Sequence, residues 1–212
     1  MMRLSYFITI ICLNFGLGSL ACAQVPGGVV NNQQNPFENI EQMTGRLLII
    51  IDEHKDSYPD NEDAYFESLN TLMTGFVDFD FVAKKVMGRY AKSSSKDQRA
   101  RFETAFRQGL VETYGRGLMS YGNEKIVLIN KQTLSDKQRR VVAKQEIRSD
   151  AAVYPLQYLM YRKKSTGEWN IVNVTLNGID LSKTFASQFL NAARKSSGNI
   201  DQVIENWLSG SK

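Results

Sequence analysis

Histidine and cysteine, the residues most often used in metal binding and nucleophilic catalysis, are nearly absent from this chain of 212 residues. It contains one histidine, His54, and two cysteines, Cys12 and Cys22. A structural zinc site of the Cys/His type needs four such ligands, so the sequence excludes one. We therefore expect no metal centre, no cofactor and no catalytic cysteine pair.

One pair of side chains has the types and the spacing for acid–base chemistry. Asp52 and His54 lie two residues apart, and a carboxylate beside an imidazole can act as a general base. The same pair falls at the predicted end of a helix, where the helix dipole stabilises a protonated histidine, and no nucleophile lies nearby in the sequence. A helix end explains the pair more simply, and a small exported enzyme that uses Asp52 and His54 remains the alternative.

No other segment carries a recognisable catalytic motif. The sequence lacks G-x-S-x-G, a phosphate loop, a dinucleotide fingerprint and H-E-x-x-H. Asp78 and Asp80 could be metal ligands, but a turn followed by a helix N-cap accounts for them with fewer assumptions. The chain has 26 Lys and Arg against 22 Asp and Glu, a net charge of +4, which is too small to indicate nucleic-acid binding. We predict neither an enzyme nor a nucleic-acid-binding protein.

Residues 1–23 are typical of a secretory signal peptide. Arg3 precedes a mostly apolar run from 4 to 20, and Ala-Cys-Ala at 21–23 fits an A-x-A cleavage site. The sequence therefore predicts an exported protein that is cleaved near Ala23.

Two alternatives to cleavage remain open. The apolar run could anchor the chain in a membrane, although a spanning helix needs about 20 apolar residues and Asn14, Gly16 and Gly18 interrupt this one. The chain could also be a lipoprotein acylated at Cys22, although Ser19 stands where lipoprotein signals usually have leucine.

Cleavage after Ala23 removes both cysteines, so burial and not disulfides must stabilise the mature chain. Residues 24–35 are rich in Gly, Asn and Gln and are expected to form a flexible leader. Residues 36–210 are predicted to form a single domain. A domain of this size buries roughly 70% of its unfolded surface, which is enough for a stable core.

Apolar residues at helical spacing, then at strand spacing, then again at helical spacing predict an α+β fold. Ser95 and Gln98 fit a capping box before one unbroken i+4 stripe: Phe102, Phe106, Leu110, Tyr114 and Leu118. We predict a four-stranded antiparallel sheet covered by amphipathic helices. The predicted helices span about 36–54, 62–75, 79–90, 96–121, 181–196 and 200–209, and the predicted strands about 124–132, 138–148, 152–163 and 168–176.

Several short motifs follow one another along the mature chain. They are VMGRY at 86–90, QR at 98–99, the i+4 stripe from 102, PLxYxM at 155–160, WxIxxV at 169–174, GIxL at 178–181 and IxxVIxxWL at 200–208. In their order and spacing, over about 35–210, these motifs resemble the MlaC family. This family, also called toluene-tolerance proteins, consists of periplasmic phospholipid carriers of Gram-negative bacteria.

The resemblance implies an NTF2-like fold with an apolar cavity that shuttles phospholipid and so maintains outer-membrane lipid asymmetry. The partners it implies are an inner-membrane ABC transporter with an MCE-domain protein and an outer-membrane lipoprotein–porin complex. This chain departs from the family at one corner: it has Asn173 where Asp is usual, Asn177 where an acid is usual and Asp180 where Ser is usual.

An acyl chain can cross water only inside an apolar cavity. A chain of on the order of 15 methylenes has a transfer free energy of about 12 kcal/mol, whereas the charged headgroup should stay at the mouth, in water. A fully packed interaction protein without a ligand remains a further alternative. The predicted lipid-contacting residues, facing between sheet and helices, are Phe81, Val86, Phe106, Leu110, Tyr114, Tyr154, Leu156, Tyr158, Met160, Val174 and Phe185.

Overall fold

Five helices, a five-stranded sheet and two further helices follow one another along the chain. The computed structural model describes residues 35–209, so the predicted signal peptide 1–23, its cleavage site and residues 24–34 of the predicted leader lie outside the described residues. The helices are α1 (Pro36–His54), α2 (Glu62–Phe76), α3 (Phe79–Met87), α4 (Tyr90–Ser93), α5 (Lys96–Leu118), α6 (Leu181–Lys195) and α7 (Ile200–Ser209). The strands are β1 (Lys125–Leu128), β2 (Arg140–Arg148), β3 (Val153–Arg162), β4 (Trp169–Leu176) and β5 (Ile179–Asp180).

The sheet is antiparallel throughout and has the strand order β1-β2-β3-β4-β5. The predicted α+β class is confirmed, but the predicted number of four strands is wrong. Asn177 and Gly178 both have positive φ, 48° and 82°, the conformation of a two-residue hairpin turn. The chain therefore turns back and pairs Leu176 with Ile179, where the sequence had indicated the end of the sheet.

Three predicted elements are shorter than expected: β1, the third helix and α5, which ends at Leu118. β1 stops at Leu128 because the side chain of Asn130 takes over the pairing with β2: its Nδ2 donates to Val142 O (2.9 Å) and its Oδ1 accepts from Lys144 N (2.6 Å). The third helix ends at Met87, since Gly88 adopts φ of 56°, and α4 is a separate short helix.

Local side-chain hydrogen bonds start most of the helices where the sequence predicts. Asn35 Oδ1 accepts from Phe37 N (2.9 Å) at the start of α1. Asp78 accepts from Phe81 N (3.0 Å) at the start of α3, which confirms its role as an N-cap. The capping box of Ser95 and Gln98 is confirmed at the start of α5. Each bond satisfies an amide that has no partner within the helix.

The core consists of two large clusters and a smaller third one. An aromatic cluster joins α3, α5, α6 and α7; in it Phe102 meets Phe189 edge-on at 4.8 Å and Trp207 at 5.3 Å between ring centroids. A second cluster joins α1 and α2 to the inner face of the sheet, with Met160 and Ile171 at its centre. The smaller third cluster joins α1, α2 and α5, and residues of all three clusters border a cavity.

α2 and α5 approach each other closely at Gly115. A Cβ atom at this position would lie 2.8 Å from Leu69 Cδ1 and 3.1 Å from the Phe66 ring. The hydroxyl of Tyr65 donates to Gly115 O (2.9 Å), and burial, with a smaller contribution from Tyr58, raises the pKa of Tyr65 to about 12. This contact fixes the distance between two walls of the cavity.

We predict that Gly115→Ala destabilises the protein, because the added methyl must displace buried side chains of α2. Overpacking typically costs about 1–3 kcal/mol, against a gain of about 1 kcal/mol in helix propensity. Gly117→Ala, two residues further along the same helix and open to solvent, is the matched control and should be neutral or stabilising. The measurement is urea unfolding of both variants; equal midpoints would show that the approach of α2 and α5 is not tight.

Candidate binding cavity

A cavity of about 250 Å³ lies between the inner face of the sheet and helices α1, α2, α3, α5 and α6. Its wall is almost entirely aliphatic and aromatic. The lining residues are Met43, Leu47, Leu69, Met73, Val77, Phe79, Val82, Phe106, Leu110, Val111, Tyr114, Gly115, Leu118, Leu156, Tyr158, Asn173, Val174, Leu176, Leu181, Ser182 and Phe185.

The sheet supplies one wall through residues that lie opposite each other on β3 and β4. Leu156 pairs with Leu176, and Tyr158 with Val174, so all four side chains point to the same face. Burial raises the pKa of Tyr158 far above that of a free tyrosine, so its hydroxyl stays neutral at physiological pH. The sheet therefore brings no charge into the cavity.

Helices α5 and α6 supply the opposite wall. The i+4 stripe of α5 places Phe106, Leu110, Tyr114 and Leu118 along the cavity, as one face of a regular helix must. Phe185 of α6 meets Phe106 edge-on at 5.3 Å. The side chain of Tyr114 is 40% exposed, so the cavity opens to solvent at this end of α5.

Two polar residues on the wall satisfy each other. Asn173 Oδ1 accepts from the backbone N (3.1 Å) and from the Oγ (2.6 Å) of Ser182, and both side chains are buried. A buried polar group without a partner would cost about 1–3 kcal/mol. Because these groups bond to each other, the cavity remains apolar in effect and β4 is tied to the first turn of α6.

Asp180 caps α6 beside this pair. Its Oδ1 accepts from Lys183 N (3.0 Å). Partial burial raises the pKa of Asp180, but the bonds from Lys183 N and Asn173 and the charges of Lys85 and Lys183 outweigh it, and the net pKa is below the ordinary value. At the corner where this chain departs from the family pattern, Asp180 caps α6 and the neutral side chain of Asn173 bonds to it.

Seven of the eleven predicted lipid-contacting residues lie on the cavity wall. They are Phe106, Leu110, Tyr114, Leu156, Tyr158, Val174 and Phe185. The sheet and the two helices bring these residues together from four separate elements, as the alternation in the strands and the i+4 stripe require.

The other four predicted residues lie elsewhere. Val86 and Met160 are fully buried in the two core clusters, where neighbouring side chains fill the space around them. Phe81 is on the outside of α3 against the Tyr161 ring, at 5.7 Å. Tyr154 faces the same side of the sheet as Leu156, but it is 45% exposed, beyond the end of the cavity.

Fourteen further residues line the cavity, and four of them come from α1 and α2, two helices in which no lipid-contacting residue was predicted. Met43 with Leu47 and Leu69 with Met73 each repeat at i+4. That signal was present in the sequence, but the same spacing also describes an ordinary core face. A cavity wall differs from a core face only in the distance between the helices and the sheet, which the spacing of residues in the sequence does not give.

The pair Asp52 and His54 does not face the cavity. His54 Nε2 lies 3.1 Å from Ser68 Oγ, and its ring packs on Tyr65 at 5.7 Å. Asp52 is exposed on the last turn of α1. His54 therefore connects α1 to α2, and the enzyme hypothesis that requires it on a cavity wall is not favoured by this arrangement.

Two larger recesses of different chemistry lie on the surface. One of about 520 Å³ is lined mainly by the polar loop 131–136 with Arg162. The other, of about 450 Å³ and here called the helix groove, lies between α5, α6 and α7 and includes Thr113, Gln188 and Asn206. Polar side chains interrupt the walls of both, so the smaller cavity is the one suited to an apolar ligand.

No group of three or more His, Cys, Asp or Glu between positions 35 and 209 is placed to hold a metal ion. Over that same part of the chain, none of the helices combines the length and apolar character needed to cross a membrane.

Fold and site together define a small α+β binding protein whose apolar cavity lies between an open antiparallel sheet and a helical layer. The chain belongs to the MlaC family: the sequence model of the MlaC protein matches residues 41–209, which confirms the resemblance seen in the sequence.

Named relatives agree with this assignment. The chain is 30% identical over 175 residues to the toluene tolerance protein ttg2D of Pseudomonas putida, covering 82% of this chain and 80% of that protein. It is 21% identical over 173 residues to the intermembrane phospholipid transport system binding protein MlaC of Haemophilus influenzae, covering 81% and 80% of the two chains.

A solved structure shares the fold. The phospholipid-binding protein from Ralstonia solanacearum, solved in complex with a phospholipid, superposes with a TM-score of 0.75 at 17% identity, over 84% of this chain and 97% of that one. At this identity the likeness shows the fold alone.

We predict that Asp180→Asn retains the N-cap but loses the stabilising charge at the start of α6. Asparagine caps a helix about as well as aspartate, whereas a carboxylate near a helix N-terminus contributes about 0.3–1 kcal/mol more. Since the folded pKa of Asp180 is lowered, the wild type should be the more stable protein above the ordinary aspartate pKa of about 3.9. That advantage should disappear as the pH falls through the lower, folded pKa.

Urea unfolding of both proteins between neutral pH and pH 3 measures this difference. Asp150→Asn, in the turn between β2 and β3, controls for the loss of one negative charge. A difference between wild type and Asp180→Asn that does not change with pH would contradict the electrostatic contribution.

Proposed function

We propose that this protein is an exported periplasmic phospholipid carrier that holds acyl chains in the cavity between its sheet and its helices. The observation that supports the proposal best is the wall of that cavity: apart from two tyrosines its side chains are apolar, except for Asn173 and Ser182, which bond to each other. The carrier function of the family and the names of its relatives point the same way.

The magnitude of the hydrophobic effect explains why such a wall suffices. Burying one acyl chain gains on the order of 12 kcal/mol at about 0.8 kcal/mol per methylene. A specific polar contact adds only about 1 kcal/mol. A carrier therefore needs shape and apolar surface, and it needs no catalytic group.

Seven residues form the proposed contact set for the acyl chains: Phe106, Leu110, Tyr114, Leu156, Tyr158, Val174 and Phe185. The headgroup stays in water at the mouth of the cavity, because burying its charges would cost more free energy than its contacts with the protein would gain. Residues 36–210 act as one lipid-binding domain in this proposal, and residues 1–23 act as a cleaved signal peptide.

The partners in this proposal follow from the family. An inner-membrane ABC transporter with an MCE-domain protein and an outer-membrane lipoprotein–porin complex would exchange phospholipid with the carrier. The Haemophilus influenzae relative is named as the binding protein of an intermembrane phospholipid transport system, which supports this role. Such traffic would maintain the lipid asymmetry of the outer membrane.

The full chain expressed in a Gram-negative host is expected to be recovered from the periplasm with bound phospholipid. Native mass spectrometry, followed by solvent extraction and lipid identification, measures the load. Recovery of protein that carries no phospholipid, in the presence of a folded circular dichroism spectrum, would contradict the proposal.

We predict that Val174→Asp abolishes most of the lipid load while the protein stays folded, because a carboxylate on the cavity wall excludes an acyl chain. Gln157→Asp is the matched control: Gln157 lies between Leu156 and Tyr158 on β3, is exposed, faces the other side of the sheet and does not line the cavity. Extraction of phospholipid per mole of folded protein compares the two. Equal loads in both variants would remove Val174 from the proposed contact set.

A further inference from the structure

The cavity is small for the ligand that the proposed function assigns to it. Pockets that hold drug-sized molecules usually measure about 300–1,000 Å³, and this cavity measures about 250 Å³. A phospholipid with two acyl chains is larger than most drugs. Either the cavity widens when the lipid binds, or part of each acyl chain lies outside it. In the second case, a neighbouring surface of the protein must contact the exposed part of the chains.

The inner face of the sheet continues past the end of the cavity. Leu156 and Leu176 form the last pair of facing residues on the wall. Two residues further out, Tyr154 pairs with Ile147, which in turn pairs with Ile126, so these three side chains point to the same face as the cavity wall. On the β5 side, Ile179 pairs with Leu176. We call these four residues, Ile126, Ile147, Tyr154 and Ile179, the rim.

Exposure rises along this face from the core to the rim. In β3 the exposed fraction is 0% at Met160, 8% at Tyr158 and 45% at Tyr154, and Ile179 is 58% exposed. Single exposed apolar residues are common and need no explanation. Here they continue an apolar wall in register, and contiguous apolar surface of this kind marks a binding surface.

The apolar row has the length of an acyl chain. From Tyr158, which lines the cavity, to Tyr154 the strand advances four residues, or about 13 Å. One leaflet of a bilayer is about 15 Å of hydrocarbon, half of a core about 30 Å thick. A chain that lies along β3 with its end near Tyr158 would thus extend over the rim before reaching water.

The helix groove is the competing route, because it shares Phe106, Leu110, Tyr114 and Phe185 with the cavity. Its other side carries polar residues such as Thr113, Gln188 and Asn206. An acyl chain passing there would displace water from those groups without replacing their hydrogen bonds. The four rim side chains, in contrast, present apolar surface along which an acyl chain can pass.

We infer that the rim is the portal of the cavity: the acyl chains of a diacyl phospholipid slide over Tyr154 and Ile179 on uptake and release, and their headgroup-proximal parts rest there in the loaded carrier. This inference rests on the proposed carrier function. It assigns to the rim a role in the rate of exchange that the cavity residues do not have.

The test measures exchange from the loaded full chain. Protein carrying a pyrene-labelled phosphatidylcholine is mixed with excess phosphatidylcholine vesicles, and the loss of pyrene fluorescence from the protein gives the rate. Tyr154→Lys and Ile179→Lys should each slow exchange about fivefold or more. An acyl chain that passes over the introduced charge must remove water from it, which raises the barrier to exchange. Tyr154→Asp and Ile179→Asp should do the same, which separates the effect from attraction between lysine and lipid phosphate.

Val153→Lys is the matched control. Val153 precedes Tyr154, is 53% exposed and lies on the opposite face of the sheet; its variant should exchange at the wild-type rate. Exchange that is equal in the Tyr154, Ile179 and Val153 variants would overturn the portal, as would a loaded wild type that does not exchange with vesicles at all. A wild type that never binds phospholipid would instead contradict the proposed function, so the two failures are distinguishable.

Discussion

Hydrogen bonds between neighbouring elements fix the positions of the walls around the cavity. Gln145 Nε2 of β2 donates to Thr44 Oγ1 of α1 (2.9 Å), Tyr65 of α2 donates to Gly115 O of α5, and Ser182 of α6 donates to Asn173 of β4. Between α2 and α3 the backbone is tied to β4, where Asp78 N donates to Ile171 O (3.0 Å). These bonds have defined distances and directions, whereas apolar packing alone has no preferred direction.

Apolar packing surrounds the cavity on both sides. The aromatic cluster joins α3, α5, α6 and α7, a second cluster joins α1 and α2 to the sheet, and a third joins α1 and α2 to α5. Their facing surfaces are as apolar as a core, but they are not filled by side chains. The same apolar stripe of α5 thus serves both purposes, with Phe102 in the aromatic cluster and Phe106, Leu110 and Tyr114 on the cavity wall.

Periodicity in the sequence was sufficient for the fold class and for most element boundaries, because strand alternation and the i+4 stripe report which face of an element is apolar. It does not report what that face meets. Val86 and Leu110 both lie on the apolar face of a helix. Val86 is packed in the aromatic cluster, whereas Leu110 borders the cavity. The fifth strand was missed because a two-residue turn of Asn177 and Gly178 can equally end a sheet or begin a hairpin, and only the pairing of Leu176 with Ile179 decides. The scarcity of histidine and cysteine acquires a meaning in this setting: the proposed function needs an apolar wall and no reactive group.

The most direct test of the account is to find where a bound acyl chain lies. The full chain is loaded with a phosphatidylcholine that carries a photoactivatable diazirine near the end of one acyl chain, irradiated, digested and analysed by tandem mass spectrometry. The account predicts adducts on the β3 and β4 peptides that contain Tyr158 and Val174 and on the α5 peptide that contains Leu110. Adducts confined to the outer face of the sheet or to the polar loop 131–136, or labelling no greater than that of an unloaded protein, would contradict it.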